Sequence, residues 1–160
     1  MCGRYVLASS REELLDIFQI GVDEAQPVLP SFNIAPSQEV AIVVQPEARR
    51  LEPARWGFVP SYAKSLTSGP TPFNARDDKV LTSGMYKAAF AKHRAIFPAD
   101  GFYERRKTGE RQSFYIHPLD SKILAIAGFY GWWRQPGIEG APWLLTATMV
   151  TRPAQGKMVG

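Results

Sequence analysis

Cys2 is the one cysteine of the chain, and it stands directly after the initiator methionine. Methionine removal, which is usual before a small residue, leaves Cys2 with a free α-amine beside its thiol. The pKa of an α-amine is about 7.7–8.0, so a useful fraction is an uncharged nucleophile near neutral pH. Such an amine condenses with an aldehyde to an imine, and the adjacent thiol then closes a five-membered thiazolidine ring. The sequence predicts an aldehyde trap at Cys2; the alternative is a cysteine in a frayed terminus.

Two later segments carry polar side chains that could assist this chemistry. The first, which we expect to be a loop, offers the amide of Asn74 and, two residues on, the planar guanidinium of Arg76, which suits phosphate. In the second, the carboxylate of Glu104 follows aromatic residues on a strand that reads as buried, where it could move protons in a cleft. The alternatives are that Asn74 merely shapes a turn and that Glu104 pairs with an arginine on a sheet face.

The aromatic and histidine residues are weaker candidates. Trp56 lies in a segment bounded by Gly57 and Pro60, and it either stacks on a base or, as the residue type favours, packs in the core. His93 and His117 have no partner at a metal-binding spacing, and with a single cysteine a zinc site is not expected. No phosphate-binding glycine loop, serine elbow or dinucleotide fingerprint is present. We therefore expect neither a metal nor a cofactor.

Composition sets the wider limits. The 160 residues suit a single domain, and 45% hydrophobic with 21% charged residues are ordinary values for a soluble globular protein. The net charge of +4 is compatible with a polyanionic partner but does not require one. No apolar run approaches the roughly 20 residues that span a bilayer, and charged residues interrupt any signal peptide. A single cysteine cannot form an internal disulfide, so we expect the reducing cytoplasm.

The elements that must position these residues are read from capping signals and apolar periodicity. Ser10 and Glu13 form a capping box for a helix that ends near Gly21, and Ser83 caps a second helix over 85–92. An ordered proline-rich loop covers 27–36, and a surface loop covers 60–73. The predicted strands are 3–8, 40–44, 51–58, 95–98, 102–107, 112–117, 123–131 and 143–150, with a hairpin turn at 107–110. Without a βαβ rhythm, these elements predict an α+β fold of mainly antiparallel β-sheets with a barrel-like core and a few flanking helices.

The motifs and their order resemble one family. They are Met1-Cys2-Gly3-Arg4, Asn33-Ile34-Ala35-Pro36, Trp56-Gly57-Phe58-Val59-Pro60, Asn74-Ala75-Arg76, Pro98-Ala99-Asp100-Gly101-Phe102-Tyr103-Glu104, and Ala127-Gly128 before Trp132. Together they look like the SRAP family, the SOS-response-associated peptidase domain. The resemblance runs from the first residue to about Thr148, and the first and fifth motifs are its most specific parts.

The resemblance implies a protein that recognises abasic sites in single-stranded DNA and joins them covalently through Cys2. Asn74 matches the amide that positions the reacting terminus. Glu104 matches the carboxylate that shuttles protons, which is also implicated in peptidase-like self-processing. Arg4 and Arg76 match side chains that hold flanking phosphates. Trp56 and Pro36 match segments that line the family's DNA channel, where a stacking role is expected.

One motif of the family is missing from the sequence. A histidine in a His-x-Arg-Met-Pro motif should follow the last strand, but the chain stops at Gly160 without it. We expect a single domain over 1–160 that is truncated at its C-terminus, acts as a monomer in the cytoplasm and crosslinks DNA slowly. Two alternatives stay open: a cysteine peptidase or amidohydrolase that uses Cys2, and a non-catalytic basic module that binds single-stranded DNA.

Overall fold

The computed structural model describes residues 3–21, 29–105, 112–119 and 123–153, which form ten strands and two helices. The helices are α1 (Arg11–Ile17) and α2 (Lys87–Lys92). The strands are β1 (Tyr5–Leu7), β2 (Ser31–Ile34), β3 (Glu39–Val44), β4 (Arg50–Trp56), β5 (Asn74–Arg76), β6 (Arg94–Ala99), β7 (Gly101–Arg105), β8 (Ser113–Ile116), β9 (Leu124–Trp133) and β10 (Leu144–Thr151).

The larger sheet closes on itself. Its strand order is β4-β3-β6-β9-β10-β5, and a further pairing of β4 with β10 completes a ring. β10 pairs with β4 at Thr146 and Ala147 and with β5 from Met149 to Thr151, both in parallel. The remaining pairs of this sheet are antiparallel. The predicted fold, with mainly antiparallel sheets and a barrel-like core, is confirmed.

The smaller sheet has the order β2-β1-β7-β8 and is antiparallel throughout. It joins the barrel through β6 and β7, which are separated only by Asp100. β7 and β8 pair as the predicted hairpin requires. The turn expected at 107–110 lies outside the described residues. The smaller sheet thus holds the beginning of the chain against the side of the barrel.

The two helices differ in how well local signals predicted them. In α1, Ser10 Oγ accepts from the backbone N–H of Glu13 and the Glu13 carboxylate accepts from the N–H of Ser10, which confirms the capping box. This helix ends at Ile17, earlier than Gly21. The prediction of a Ser83 cap is wrong, because α2 begins at Lys87 and Ser83 Oγ instead accepts from the N–H of Met85. None of the described helices combines the length and apolar character that a membrane crossing needs.

Two short strands were not predicted. β2 lies in the segment expected to be a proline-rich loop, and β5 places Asn74 on a strand where a loop was expected. β5 has only three residues and β2 four, too few for a clear alternation of apolar and polar positions. Their pairing with β1 and β10, which are distant in sequence, makes them strands.

Candidate functional site

The register between β1 and β7 brings the start of the chain to Glu104. Tyr5 pairs with Phe102, and the N–H of Tyr103 donates to the carbonyl of Arg4 at 2.8 Å. Continued by one residue, this antiparallel register brings Gly3 opposite Glu104. The Glu104 side chain is half-buried. Cys2 itself lies outside the described residues, and Gly3 is the first residue for which a position is given.

Asn74 approaches the same place from the barrel. A Cβ atom built on Gly3 would lie 3.8 Å from the ring of Phe73, the residue before Asn74. The carbonyl of Phe73 accepts hydrogen bonds from the indole N–H of Trp56 at 2.9 Å and from the N–H of Met149 at 3.1 Å. Asn74 is half-buried and its amide oxygen is buried. The described chain therefore begins against Phe73, the residue that precedes Asn74.

Trp56 packs against Tyr5 and Phe73 in the interior and does not reach the surface. Its side chain is fully buried, with edge-to-face contacts to Tyr5 at 5.2 Å and to Phe73 at 5.7 Å between ring centroids. The core packing that residue type favours for Trp56 is confirmed, and the stacking role that the resemblance implies is wrong, because no face of its ring is accessible. Tyr5 and Phe73 were not singled out from the sequence, since only the folded barrel brings these three aromatic rings together.

Arg4 and Pro36 lie beside two neighbouring strands of the smaller sheet, Arg4 directly before β1 and Pro36 shortly after β2. Arg4 is exposed, and its Nη1 donates to Oδ1 of Asn33 on β2 at 2.8 Å. Pro36 is half-buried in the turn that follows β2. The motif containing Asn33 and Pro36 is therefore connected to Arg4 directly.

Arg76 is exposed at the end of β5, and its guanidinium is held by Asp78. Its Nε lies 2.9 Å from Oδ1 and its Nη2 lies 3.0 Å from Oδ2 of that carboxylate. The hydrogen bonds and the opposite charge raise the pKa of Arg76 and lower the pKa of Asp78. Asp78 was missed in the sequence, although its spacing of two residues from Arg76 was visible. This bidentate pair fixes the orientation of the Arg76 guanidinium.

Asp100 fixes the connection between the two sheets. Its Oδ1 accepts from the Ser9 hydroxyl at 2.6 Å, and its Oδ2 accepts from the N–H of Ser9 at 3.0 Å and from the N–H of Ala8. These bonds attach the segment after β1 to the junction of β6 and β7. Because β1 follows directly after Gly3 and Arg4 and β7 carries Glu104, Asp100 supports the site without belonging to it.

The histidines do not join this site. His93 stacks on Tyr130 with ring centroids 5.1 Å apart, and His117 is exposed and stacks on Tyr115 at 5.4 Å. Within the described ranges, no three His, Cys, Asp or Glu side chains are grouped to hold a metal ion.

The described residues thus combine a closed barrel with a smaller four-stranded sheet. The sequence model of the SOS response associated peptidase (SRAP) family matches residues 1–160, and the chain belongs to this family. It is 32% identical over 157 residues to the abasic site processing protein YoqW of Bacillus subtilis (strain 168), a match that covers 94% of this chain and 68% of that protein. It is 34% identical over 157 residues to the abasic site processing protein YoaM of the same organism, with 94% and 67% covered.

The fold also matches a solved structure. A crystal structure of a protein from Bacteroides thetaiotaomicron aligns with a TM-score of 0.83 at 18% identity, covering 94% of this chain and 68% of that one. This similarity establishes the shared fold of the two proteins.

Proposed function

We propose that this chain captures abasic sites in single-stranded DNA covalently, through the amine and thiol of Cys2. The observation that carries the proposal is that Gly3 lies against Phe73, the neighbour of Asn74, while Arg4 is bonded to Tyr103, the neighbour of Glu104. It is supported by membership of the SRAP family and by two relatives that are named abasic site processing proteins.

The chemistry follows from the groups that an abasic site and an N-terminal cysteine present. The ring-opened sugar of an abasic site carries an aldehyde. The α-amine of Cys2 attacks the aldehyde carbon, and loss of one water gives an imine. The thiol then adds to the imine carbon while its proton passes to the nitrogen, which closes the thiazolidine ring without a further leaving group. No oxidant or reductant is needed.

Glu104 and Asn74 have separate roles in this scheme. A carboxylate one strand away from the terminus takes a proton from the attacking amine and returns it to the departing hydroxyl. The amide of Asn74 orients the terminus for attack, which lowers the entropic cost of the first step. Both roles need a Cys2 whose amine is free, so removal of Met1 is a condition of the activity.

The DNA strand is held by charge on either side of this point. Arg4 directly precedes β1 and Arg76 ends β5, and both are exposed. Guanidinium groups bind phosphate and release counterions, so we expect noncovalent affinity to fall as salt rises. The bidentate pair with Asp78 keeps Arg76 in one orientation for this contact.

A denaturing gel tests the proposal. The protein is incubated with labelled single-stranded DNA containing one abasic site and is then heated in detergent. We expect a shifted band with the wild type, no such band with Cys2→Ala, and slower band formation with Glu104→Gln at an unchanged melting temperature. Binding without any heat-stable band would favour a non-catalytic binding module. Release of a peptide or amide product without a DNA adduct would favour a cysteine peptidase or amidohydrolase.

A further inference from the structure

A row of aromatic side chains lies on the face of the smaller sheet that points away from Glu104. Tyr103 and Tyr115 are directly paired across β7 and β8, and His117 follows two residues after Tyr115. Because side chains alternate along a strand, Tyr103 lies on the opposite face from Glu104. Tyr103 is 36% and Tyr115 44% exposed, and His117 is exposed as well. We call these three residues the aromatic row.

The packing of the row shows that its geometry is specified. The ring centroids of Tyr103 and Tyr115 are 5.2 Å apart, and those of Tyr115 and His117 are 5.4 Å apart with planes only 24° from parallel. Tyr115 leans across Gly101, where a Cβ atom would come within 2.5 Å of its ring. Only glycine at position 101 leaves room for this arrangement, so the surface is shaped to present the rings.

The charges around the row are positive. Arg4 lies opposite Tyr103 on the neighbouring strand, and Arg105 follows on the same strand and face as Tyr103; both arginines are exposed. The nearby carboxylate of Asp100 is occupied by the hydrogen bonds from Ala8 and Ser9.

Exposed rings among basic side chains are the combination that binds unpaired nucleotides: the cations attract the phosphates and the rings stack on the bases. We propose that the aromatic row, with Arg4 and Arg105, is a second binding surface for single-stranded nucleic acid, separate from the Cys2 site. This rests on the proposed function, because Arg4 would connect the two surfaces. A strand held at the lesion continues from Arg4 onto Tyr103 and Tyr115, where its bases stack without sequence preference.

The test measures noncovalent binding with no lesion present. Fluorescence anisotropy with labelled oligothymidylate gives the affinity of the wild type and of variants of Tyr115. Loss of one stacked base weakens binding about fivefold or more, which we expect for Tyr115→Ala and Tyr115→Leu. Tyr115→Phe keeps the ring and should stay within about twofold of the wild type. Trp143→Ala is the matched control, because Trp143 is an exposed aromatic residue, at 59%, that lies beside Arg134 directly before β10 and outside the smaller sheet.

The proposal for the aromatic row can be overturned in several ways. Unchanged affinity in both Tyr115→Ala and Tyr115→Leu overturns the proposal, as does equal weakening in Tyr115→Phe or in the Trp143→Ala control. Melting temperatures identify any variant that has lost its fold, and Tyr115→Leu retains apolar bulk on the sheet if the alanine variant unfolds. A wild type that fails to bind oligothymidylate also overturns it.

The gel for covalent capture, run on the same samples at saturating protein, separates the two proposals. If the wild type forms no adduct but Tyr115→Ala binds oligothymidylate more weakly, the proposal of covalent capture is refuted and the proposal for the aromatic row is supported. A normal adduct with unchanged affinity removes the row alone.

Discussion

Replacing Asp100 tests how the fold holds the two halves of the site together. Its carboxylate accepts three hydrogen bonds, two from Ser9 and one from Ala8, across more than ninety positions of sequence. Asp100→Ala removes the acceptor and leaves all three donors without it. The segment after β1 then loses its attachment to the junction of β6 and β7, and the register that brings Gly3 to Glu104 is weakened.

The size of the effect follows from the number and kind of these bonds. Hydrogen bonds to a charged group contribute about 1.5–3 kcal/mol each. The Ser9 and Ala8 donors are only half-buried, so water can replace part of what they lose. We therefore expect a loss of about 3 kcal/mol in the free energy of unfolding, which is below the range that three fully buried bonds would give. For a chain of this length that corresponds to a fall of about 6–12 °C in Tm.

Urea denaturation followed by tryptophan fluorescence measures this loss, and a thermal melt provides the Tm. Ser9→Ala is the graded control, because it removes only the hydroxyl bond and should cost about 1 kcal/mol. Asp100→Asn keeps one acceptor oxygen and should fall between the two. If Asp100→Ala lowered the free energy of unfolding by less than Ser9→Ala does, the carboxylate would not be what attaches the segment after β1.

Three further predictions follow from other contacts. Gly128→Ala should destabilise the protein by about 1–3 kcal/mol in urea denaturation, because its Cβ atom would lie 2.5 Å from an aromatic ring and 2.7 Å from a backbone carbonyl. Gly84→Ala, where a Cβ atom meets nothing within 4 Å, should be close to neutral; equal losses would contradict the packing argument. Arg76 lowers the pKa of Asp78, so their ion pair is present above the ordinary pKa of an aspartate and is lost as the pH falls through the lowered value. An NMR titration should find Asp78 titrating below the usual range and returning toward it in Arg76→Ala; an unchanged titration would contradict the pair. Trp56→Ala should cost about 3–5 kcal/mol by thermal or urea unfolding, whereas a small loss would show that the ring is not part of the core.

Local sequence patterns correctly predicted the elements that are stabilised by residues close to one another in the sequence. The capping box of Ser10 and Glu13 is complete within four residues, and the apolar run from Val40 to Val44 forms five of the six residues of β3. The closure of the barrel is different, since it depends on parallel pairing of β10 with β4 at Thr146 and Ala147. Such pairing leaves no local pattern in either strand.

The same distinction between local and long-range causes applies to the residues of the candidate site. Cys2, Asn74 and Glu104 were named from residue chemistry and from the family resemblance, and their roles remain predictions. Asn74 was expected on a loop and lies on a strand, because its hydrogen bonds come from a distant partner. Residue type correctly favoured a buried Trp56, whereas the family resemblance implied a stacking role that the buried ring does not allow.

The intact mass of the adduct tests the central claim most directly. Protein incubated with a short single-stranded DNA that carries one abasic site is measured whole by mass spectrometry. Covalent capture at Cys2 predicts the mass of the chain without Met1 plus the mass of the DNA, less one water, and predicts that Cys2→Ala yields no such species. An adduct of that mass in Cys2→Ala, or none with a wild type shown to lack Met1, would contradict covalent capture by Cys2.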